Sequence, residues 1–241
     1  MKKITAKALA QAAGGVLAHE GNEPVAEHIS LDSRKMAGND LFVPIIGERA
    51  DGHDYICMAI GNGATVVFTS RHKTEEEVQE AILTQCKGDK EKETAAKAAA
   101  WICVPDTRKA LQDFGAYCRR NNPIPLVGIT GSVGKTTTRE MVAAALSAGF
   151  LVYKTPGNSN SQVGVPITVA EIPENAEIGV IELGMSEPGE MTRIANVAQV
   201  NCAVMTNIGV AHIEQLGSQE NILKEKLHIQ DGMSEKGTLF L

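Results

Sequence analysis

Lys135 is preceded by Thr130-Gly131-Ser132-Val133-Gly134 and followed by Thr136-Thr137-Thr138. The apolar run Ile124-Pro125-Leu126-Val127 leads into this stretch, and Met141, Val142, Ala145 and Leu146 mark a helix behind it. Strand, glycine turn and helix in that order make a G-K-T match a phosphate-binding expectation. Glycines let backbone N–H groups approach phosphate oxygens, a helix N-terminus adds a positive dipole end, and Lys135 adds a point charge. Thr136 is suited to place its hydroxyl on a Mg²⁺ that bridges the outer phosphates. The general pattern G-x-x-x-x-G-K-[ST] would put its first glycine at 129, where Ile129 stands. The chain is expected to bind a nucleoside triphosphate through the shorter loop T-G-S-x-G-K-T.

Other polar residues stand where such a site needs them. Glu182 lies near the end of the apolar run Ile178 to Leu183, and ligands of open parallel sheets collect beyond the C-terminal ends of strands. A carboxylate among such neighbours needs a partner, for which a metal ion is one candidate. His212 follows the run Val204-Met205-Thr206-Asn207-Ile208 and reads equally as a ligand or as a loop histidine. Gly157-Asn158-Ser159-Asn160-Ser161-Gln162-Val163-Gly164 suits hydrogen bonding to a polar substrate, and equally an ordinary loop before a helix.

The elements that must position these groups alternate. Expected strands at 126–130, 150–154, 178–183, 202–207 and 237–241 are separated by helices near 135–148, 164–172, 189–197 and 219–231, the pattern of a parallel sheet covered by helices. Residues 1–120 read as a separate α/β domain. It has a helix started by Thr5, extended segments at 28–31 and 40–45, a helix at 56–60, strands at 64–69 and 101–104, and a helix capped by Asp106-Thr107. The charged stretch 71–99 reads as a solvated helix pair or surface excursion and receives no function. The fold class is thus α/β, in two domains, 1–120 and 121–241. Leu241 closes an apolar strand with no covering helix, so the chain is expected to be a piece of something longer.

Composition removes several alternatives. With 241 residues, 43% hydrophobic, 22% charged and a net charge of −6, the chain is a globular protein without the basic face of a general nucleic-acid binder. Five cysteines without a C-x-x-C pair read as buried thiols of a reducing compartment. Met1-Lys2-Lys3-Ile4-Thr5-Ala6 lacks the apolar core of a signal peptide and no apolar run approaches roughly 20 residues, so neither a signal peptide nor a membrane span is expected. A cytoplasmic location is expected.

Taken together, these segments resemble the Mur ligase family, ATP-dependent amide-forming enzymes of peptidoglycan precursor synthesis. T-G-S-x-G-K-T matches that family's phosphate loop, including the missing glycine. Gly131-Ser132, Gly157-Asn158-Ser159-Asn160 with Gly164-Val165-Pro166, and Ile181-Glu182-Leu183-Gly184 look most like the branch that joins D-Ala-D-Ala to UDP-N-acetylmuramoyl-tripeptide. The sister enzyme that adds the third amino acid tends to carry T-G-T-N-G-K-T and an Asn-Thr-Thr-Pro loop, and neither stands here. In the first domain, Leu31-Asp32-Ser33-Arg34, Gly38-Asn39-Asp40-Leu41-Phe42-Val43, and Gly47 with Asp51-Gly52-His53 resemble the uridine-nucleotide domain of those two ligases. Asp32, Ser33 and Arg34 carry donors, acceptors and a charge for uracil and diphosphate; alone they read equally as a capped turn with a surface arginine.

The resemblance implies nucleotide contacts from Thr130, Gly131, Ser132, Val133, Gly134, Lys135, Thr136, Thr137 and Asn207. It implies Mg²⁺ ligation by Thr136 and Glu182, with His212 on a second ion. Substrate contacts are implied for Asp32, Ser33, Arg34, Gly47, Asp51, His53, Asn158 and Asn160. A carbamylated lysine is also implied, with Lys226 chosen over Lys224 although His228 stands where Glu is expected. Catalysis would rest on Lys135 and Lys226. A third, Rossmann-like domain of the family has no counterpart in this chain, which is therefore expected to show little ligase activity alone. Rival readings are the sister ligase, a folylpolyglutamate synthase-like enzyme, and a nucleotide-binding module without catalysis.

Overall fold

Thr5 starts the first helix through its hydroxyl, which accepts from the N–H of Ala8. The computed structural model describes residues 1–241 in two units, Met1–Phe114 and Gly115–Leu241. The first contains β1 (Ile4–Thr5), α1 (Ala6–Ala12), β2 (Val16–His19), β3 (Val25–Ala26), β4 (His28–Ser30) and β5 (Asp40–Phe42). It continues with α2 (Ile56–Gly61), β6 (Ala64–Thr69), α3 (Glu75–Cys86), α4 (Lys90–Ala98) and β7 (Ala100–Cys103). β4, β5, β6 and β7 are parallel neighbours, and β2 adds antiparallel to β7, giving the order β2-β7-β6-β5-β4. Val66, Val67 and Phe68 of β6 are all fully buried, as a strand covered on both faces requires.

The charged stretch 71–99 is the helix pair α3 and α4. Thr74 and Glu77 form a reciprocal capping box on α3, and Asp89 caps α4. Val78, Ile82, Cys86 and Ala96 are buried in the same cluster as Phe42 and Trp101, so the pair closes the core with one face. The short strands β1, β2 and β3 had no alternation long enough to announce them.

α5 (Thr107–Asn121) begins in the first unit and continues into the second, with Asp106 accepting from the N–H of Lys109. The second unit then runs β8 (Leu126–Thr130), α6 (Lys135–Leu146), β9 (Val152–Lys154), α7 (Gly164–Ala170), β10 (Ile178–Glu182) and α8 (Glu190–Ala198). It ends with β11 (Cys202–Met205), α9 (Ile213–Leu216), α10 (Gln219–Leu227) and β12 (Thr238–Phe240). The sheet is wholly parallel in the order β12-β11-β8-β10-β9. Leu126, Val165, Ile181, Ile194, Ala203 and Ile229 belong to one buried cluster. The helix expected to reach 231 leaves α geometry at Leu227 and finishes as a 3-10 turn, His228–Gly232. β11 stops at Met205, short of 207: the Thr206 N–H still bonds Thr130 O of β8, and the Asn207 carbonyl then turns to the Ser132 N–H of the glycine loop.

One long-range cap holds two of these helices together. The buried Glu225 of α10 accepts from the N–H of Gly189 (2.9 Å) and of Met191 (3.0 Å) at the start of α8, whose N-cap Gly189 offers no side chain. Glu225→Ala leaves both donors without an acceptor and is expected to cost roughly 2–4 kcal/mol, read as a lower urea midpoint.

Candidate functional site

The register of β8 against its neighbours assembles the site. Thr130 lies level with Met205 of β11, and Ile129 level with Glu182 of β10. Three strand ends therefore open at one edge, with β8 between strands reached by connections running to opposite sides. Gly131 has φ +145° and Gly134 φ +82°, and a Cβ on Gly131 would sit 1.9 Å from Thr206 Oγ1. Only glycine satisfies both demands at 131.

The segment after β11 fastens the loop. Thr206 Oγ1 donates to Val133 O (2.6 Å), Ser132 N–H to Asn207 O (3.0 Å), Val133 N–H to Asn207 Oδ1 (3.0 Å) and Gly209 N–H to Ser132 Oγ (2.9 Å). Asn207 thus holds the glycine loop with its side-chain oxygen. α6 begins without a side-chain cap, so the N–H groups of its first turn, Lys135 to Thr137, lack intrahelical acceptors. Lys135 Nζ folds over the loop onto Gly131 O at 2.9 Å. Thr130 Oγ1, buried at the end of β8, has no hydrogen-bond partner. A helix start with free N–H donors, a lysine beside it and the orphaned Thr130 hydroxyl at the end of the preceding strand fit a phosphate group.

Glu182 is 1% exposed and both its carboxylate oxygens accept hydrogen bonds. Asn160 Nδ2 donates to Oε1 (2.8 Å), while Thr136 Oγ1 (3.1 Å) and Arg139 Nη1 (3.3 Å) donate to Oε2. Thr155 Oγ1 accepts from the Glu182 N–H at 2.9 Å. The partner expected for this buried carboxylate is supplied by protein donors, and sequence reasoning missed Arg139 and Thr155 altogether. The hydroxyl and carboxylate of Thr136 and Glu182 fit Mg²⁺, which takes one or two protein oxygens and completes its shell with water and phosphate. His212 is exposed, sits at φ +62° before α9, and joins no group of three or more His, Cys, Asp or Glu side chains able to hold a metal. Asn158 is exposed on the loop whose other asparagine, Asn160, reaches Glu182.

The two lysines of α10 have opposite surroundings. Lys224 is solvated and paired with Glu220 at 2.8 Å. Lys226 is 1% exposed, and burial, reinforced by the Lys135 ammonium and opposed by Glu225, brings its pKa down to about 8. His228 is paired instead with Asp231 on the surface.

In the first unit, Asp32, Ser33 and Arg34 line a cleft of about 520 Å³ together with Phe42, Gly52, Tyr55 and Met58. Arg34 forks onto Asp32 through Nε and Nη2, both at 2.8 Å, and holds that carboxyl well below the usual range. Asp51 and His53 flank the lining residue Gly52 without lining the cleft themselves. His53 is buried, with Nδ1 2.5 Å from Asp51 Oδ1 and Nε2 accepting from Ser70 N–H at 3.0 Å, and Asp51 also binds Arg71. This network fastens its loop, and Gly47 takes part in a turn closed by its N–H on Ala50 O (3.0 Å). Neither Asp51, His53 nor Gly47 lines the cleft.

A parallel-sheet unit with a P-loop-like turn and an α/β unit with a cleft lined by Asp32, Ser33 and Arg34 define the class. The family description Mur ligase middle domain matches residues 129–241, and Mur ligase family, catalytic domain, matches residues 25–118. The chain belongs to the Mur ligase family. It is 37% identical over 240 residues to the UDP-N-acetylmuramoyl-tripeptide–D-alanyl-D-alanine ligase of Bacillus subtilis, covering 99% of this chain and 48% of that protein. The Escherichia coli enzyme of that name is 31% identical over 237 residues, 98% of this chain and 47% of the relative. The crystal structure of MurF from Acinetobacter baumannii superposes with a TM-score of 0.83 at 30% identity, covering 99% of this chain and 48% of that one. The MurF ligase of Thermotoga maritima in complex with ADP gives 0.72 at 29% identity, over 89% of this chain and 45% of that one. The chain spans about half the length of the curated relatives it matches. No helix is long and apolar enough to cross a membrane.

Two outcomes follow from the geometry. Gly131→Ala meets both a left-handed backbone and the Thr206 hydroxyl, and is expected to destabilise the second unit by roughly 2–4 kcal/mol in denaturant unfolding. Lys226, at about 8 folded against 10.5 unfolded, binds fewer protons in the folded chain between those values. Stability contributed by this group therefore rises with pH from about 8 to 10.5 and is flat below it. Lys226→Met is expected to flatten that rise when urea midpoints at pH 7 and 9.5 are compared.

Proposed function

We propose that the chain carries the nucleotide and UDP-substrate sites of an ATP-dependent ligase joining D-Ala-D-Ala to UDP-N-acetylmuramoyl-tripeptide in peptidoglycan precursor synthesis. The observation that carries this reading is the open N-terminus of α6 under Lys135, set beside the Thr136–Glu182 oxygen pair. Such an arrangement cradles and neutralises a triphosphate, and the ADP complex of the Thermotoga maritima relative agrees with it.

In the proposed reaction, a carboxylate oxygen of the tripeptide attacks the γ-phosphorus of ATP, the bond to the β-phosphate oxygen breaks, and ADP leaves. The amine of D-Ala-D-Ala then attacks the acyl phosphate carbonyl, loses a proton, and expels inorganic phosphate. Lys135 and the first-turn N–H groups of α6 orient the phosphates and oppose the charge that accumulates on them. Thr130 Oγ1 supplies a further donor at the end of β8. Thr136 and Glu182 would hold Mg²⁺, which neutralises phosphate charge when bound; His212 is proposed for a second ion. Lys226, close enough to Lys135 for their charges to oppose, is the proposed site of carbamylation, since a depressed ammonium yields the neutral amine that CO₂ requires.

Asp32, Ser33 and Arg34 would receive the uridine diphosphate in their cleft, and Asn158 and Asn160 the polar part of the substrate near Glu182. We place the chain in the cytoplasm, where ATP is supplied and where its five cysteines remain the free thiols seen here.

Separate calorimetric titrations test the reading. Mg²⁺·ATP is expected to bind the chain, with Lys135→Ala weakening it at least about 10-fold. UDP-N-acetylmuramoyl-tripeptide is expected to bind independently, with Arg34→Ala weakening it while leaving ATP unchanged. Absence of nucleotide binding in the unaltered chain, with its fold intact, would overturn the proposal.

A further inference from the structure

Arg139 stands in the second turn of α6 with only 5% exposure, although nothing in its sequence surroundings announces a functional role. Its guanidinium reaches three acceptors on separate segments. Nη1 donates to Gly157 O (2.6 Å) and to Glu182 Oε2 (3.3 Å), while Nε (3.1 Å) and Nη2 (2.7 Å) converge on Glu140 Oε1. Glu140 is itself paired with Lys154 of β9.

We infer that Arg139 is the positioning residue of the nucleotide site. Its fork holds the Glu182 carboxylate toward Thr136 and, through Gly157, sets the root of the Asn158–Asn160 loop against the phosphate loop. The inference deepens the proposed function and rests on Glu182 and that loop serving the nucleotide and substrate there.

The physical case is charge and shape together. Glu182 is buried, and its other donors, Thr136 and Asn160, are neutral, so Arg139 is the cation hydrogen-bonded to it. A buried carboxylate deprived of its cation is strongly destabilising, whereas loss of both charges together costs much less. The rigid planar fork also matters, because a lysine is a point charge that cannot serve Glu182, Gly157 and Glu140 from one plane. Arg139 also bonds the 157–160 segment at its first carbonyl, while Asn160 bonds the same carboxylate from the segment's end. The loop is thus tied to Glu182 at both ends, once through Arg139 and once directly.

The test uses the unliganded chain, so it reads independently of whether nucleotide binds. Arg139→Met is expected to lower the calorimetric unfolding midpoint by roughly 5–15 °C, and Glu182→Gln added to it to recover at least half of that loss. Independent, additive effects of the two substitutions would overturn the inference, because an Arg139 that does not hold the Glu182 carboxylate has no reason to prefer a neutral residue at 182. Arg139→Lys, which keeps the charge and gives a second variant should Arg139→Met fail to fold, is expected to speed amide exchange at residues 157–160 at least tenfold. Residues 178–182 should keep their protection. Unchanged exchange at 157–160 in Arg139→Lys would equally overturn it.

Discussion

A carboxylate buried at the end of a central strand constrains everything near it, because each oxygen withdrawn from water must find a donor. At Glu182 the donors come from three places: the first turn of α6, its second turn, and the loop before α7. Its own N–H is taken up by Thr155 at the end of the neighbouring β9 segment. The position of α6 over the sheet, the path of residues 155–160 and the register of β10 beside β8 are therefore mutually dependent. The glycine loop shares this frame, since α6 both ends the loop and carries Thr136 and Arg139.

The loop itself was readable because its signal is local. Glycine, lysine and threonine at fixed offsets between a strand and a helix need no tertiary information, and Gly131 and Gly134 do adopt positive φ. The alternation of the second unit was readable for a similar reason: its central strands β8 and β10 are apolar on both faces and α8 carries a single buried stripe. What escaped was long-range. Arg139 looks like any charged residue of an amphipathic helix until β10 places a carboxylate against it. Glu225 caps a helix that begins 35 residues earlier, at Glu190, and no spacing rule connects them. For Asn207 the resemblance implied a nucleotide contact, while the bond of its side-chain oxygen to the Val133 N–H of the glycine loop was not legible.

Residue type was a weaker guide in the first unit than surroundings. Asp32 with Arg34 and Asp51 with Arg71 are both acid–arginine pairs in loops of similar composition. The first pair lines a cleft with neighbouring apolar side chains; the second anchors the buried His53. Ser70, His53 and Asp51 even stand in the order of a proton relay. The N–H of Ser70 shares the lone pair of His53 Nε2 with its own hydroxyl, so the ring is engaged by the backbone whatever the hydroxyl does. The arrangement is a fastener for the loop, and the burial of His53 is its consequence.

α10 carries the strongest evidence that local polarity has been inverted for a purpose. Leu223 and Leu227 would form the inward stripe of an ordinary amphipathic helix at this position. Instead Ile222, Glu225 and Lys226 are buried and Leu223 is 36% exposed. Two residues apart on a helix point to opposite sides, which is why Lys224 reaches solvent while Lys226 does not. Glu225 has a structural reason to be inside, since it caps α8. Lys226 has none of that kind: burial disfavours its charge and Lys135 opposes it further. A fold selected only for stability would replace that lysine with an apolar side chain. A buried lysine near Lys135 suits the proposed site, where negative charge arrives either as the phosphates of a nucleotide or as a carbamate formed on the amine itself.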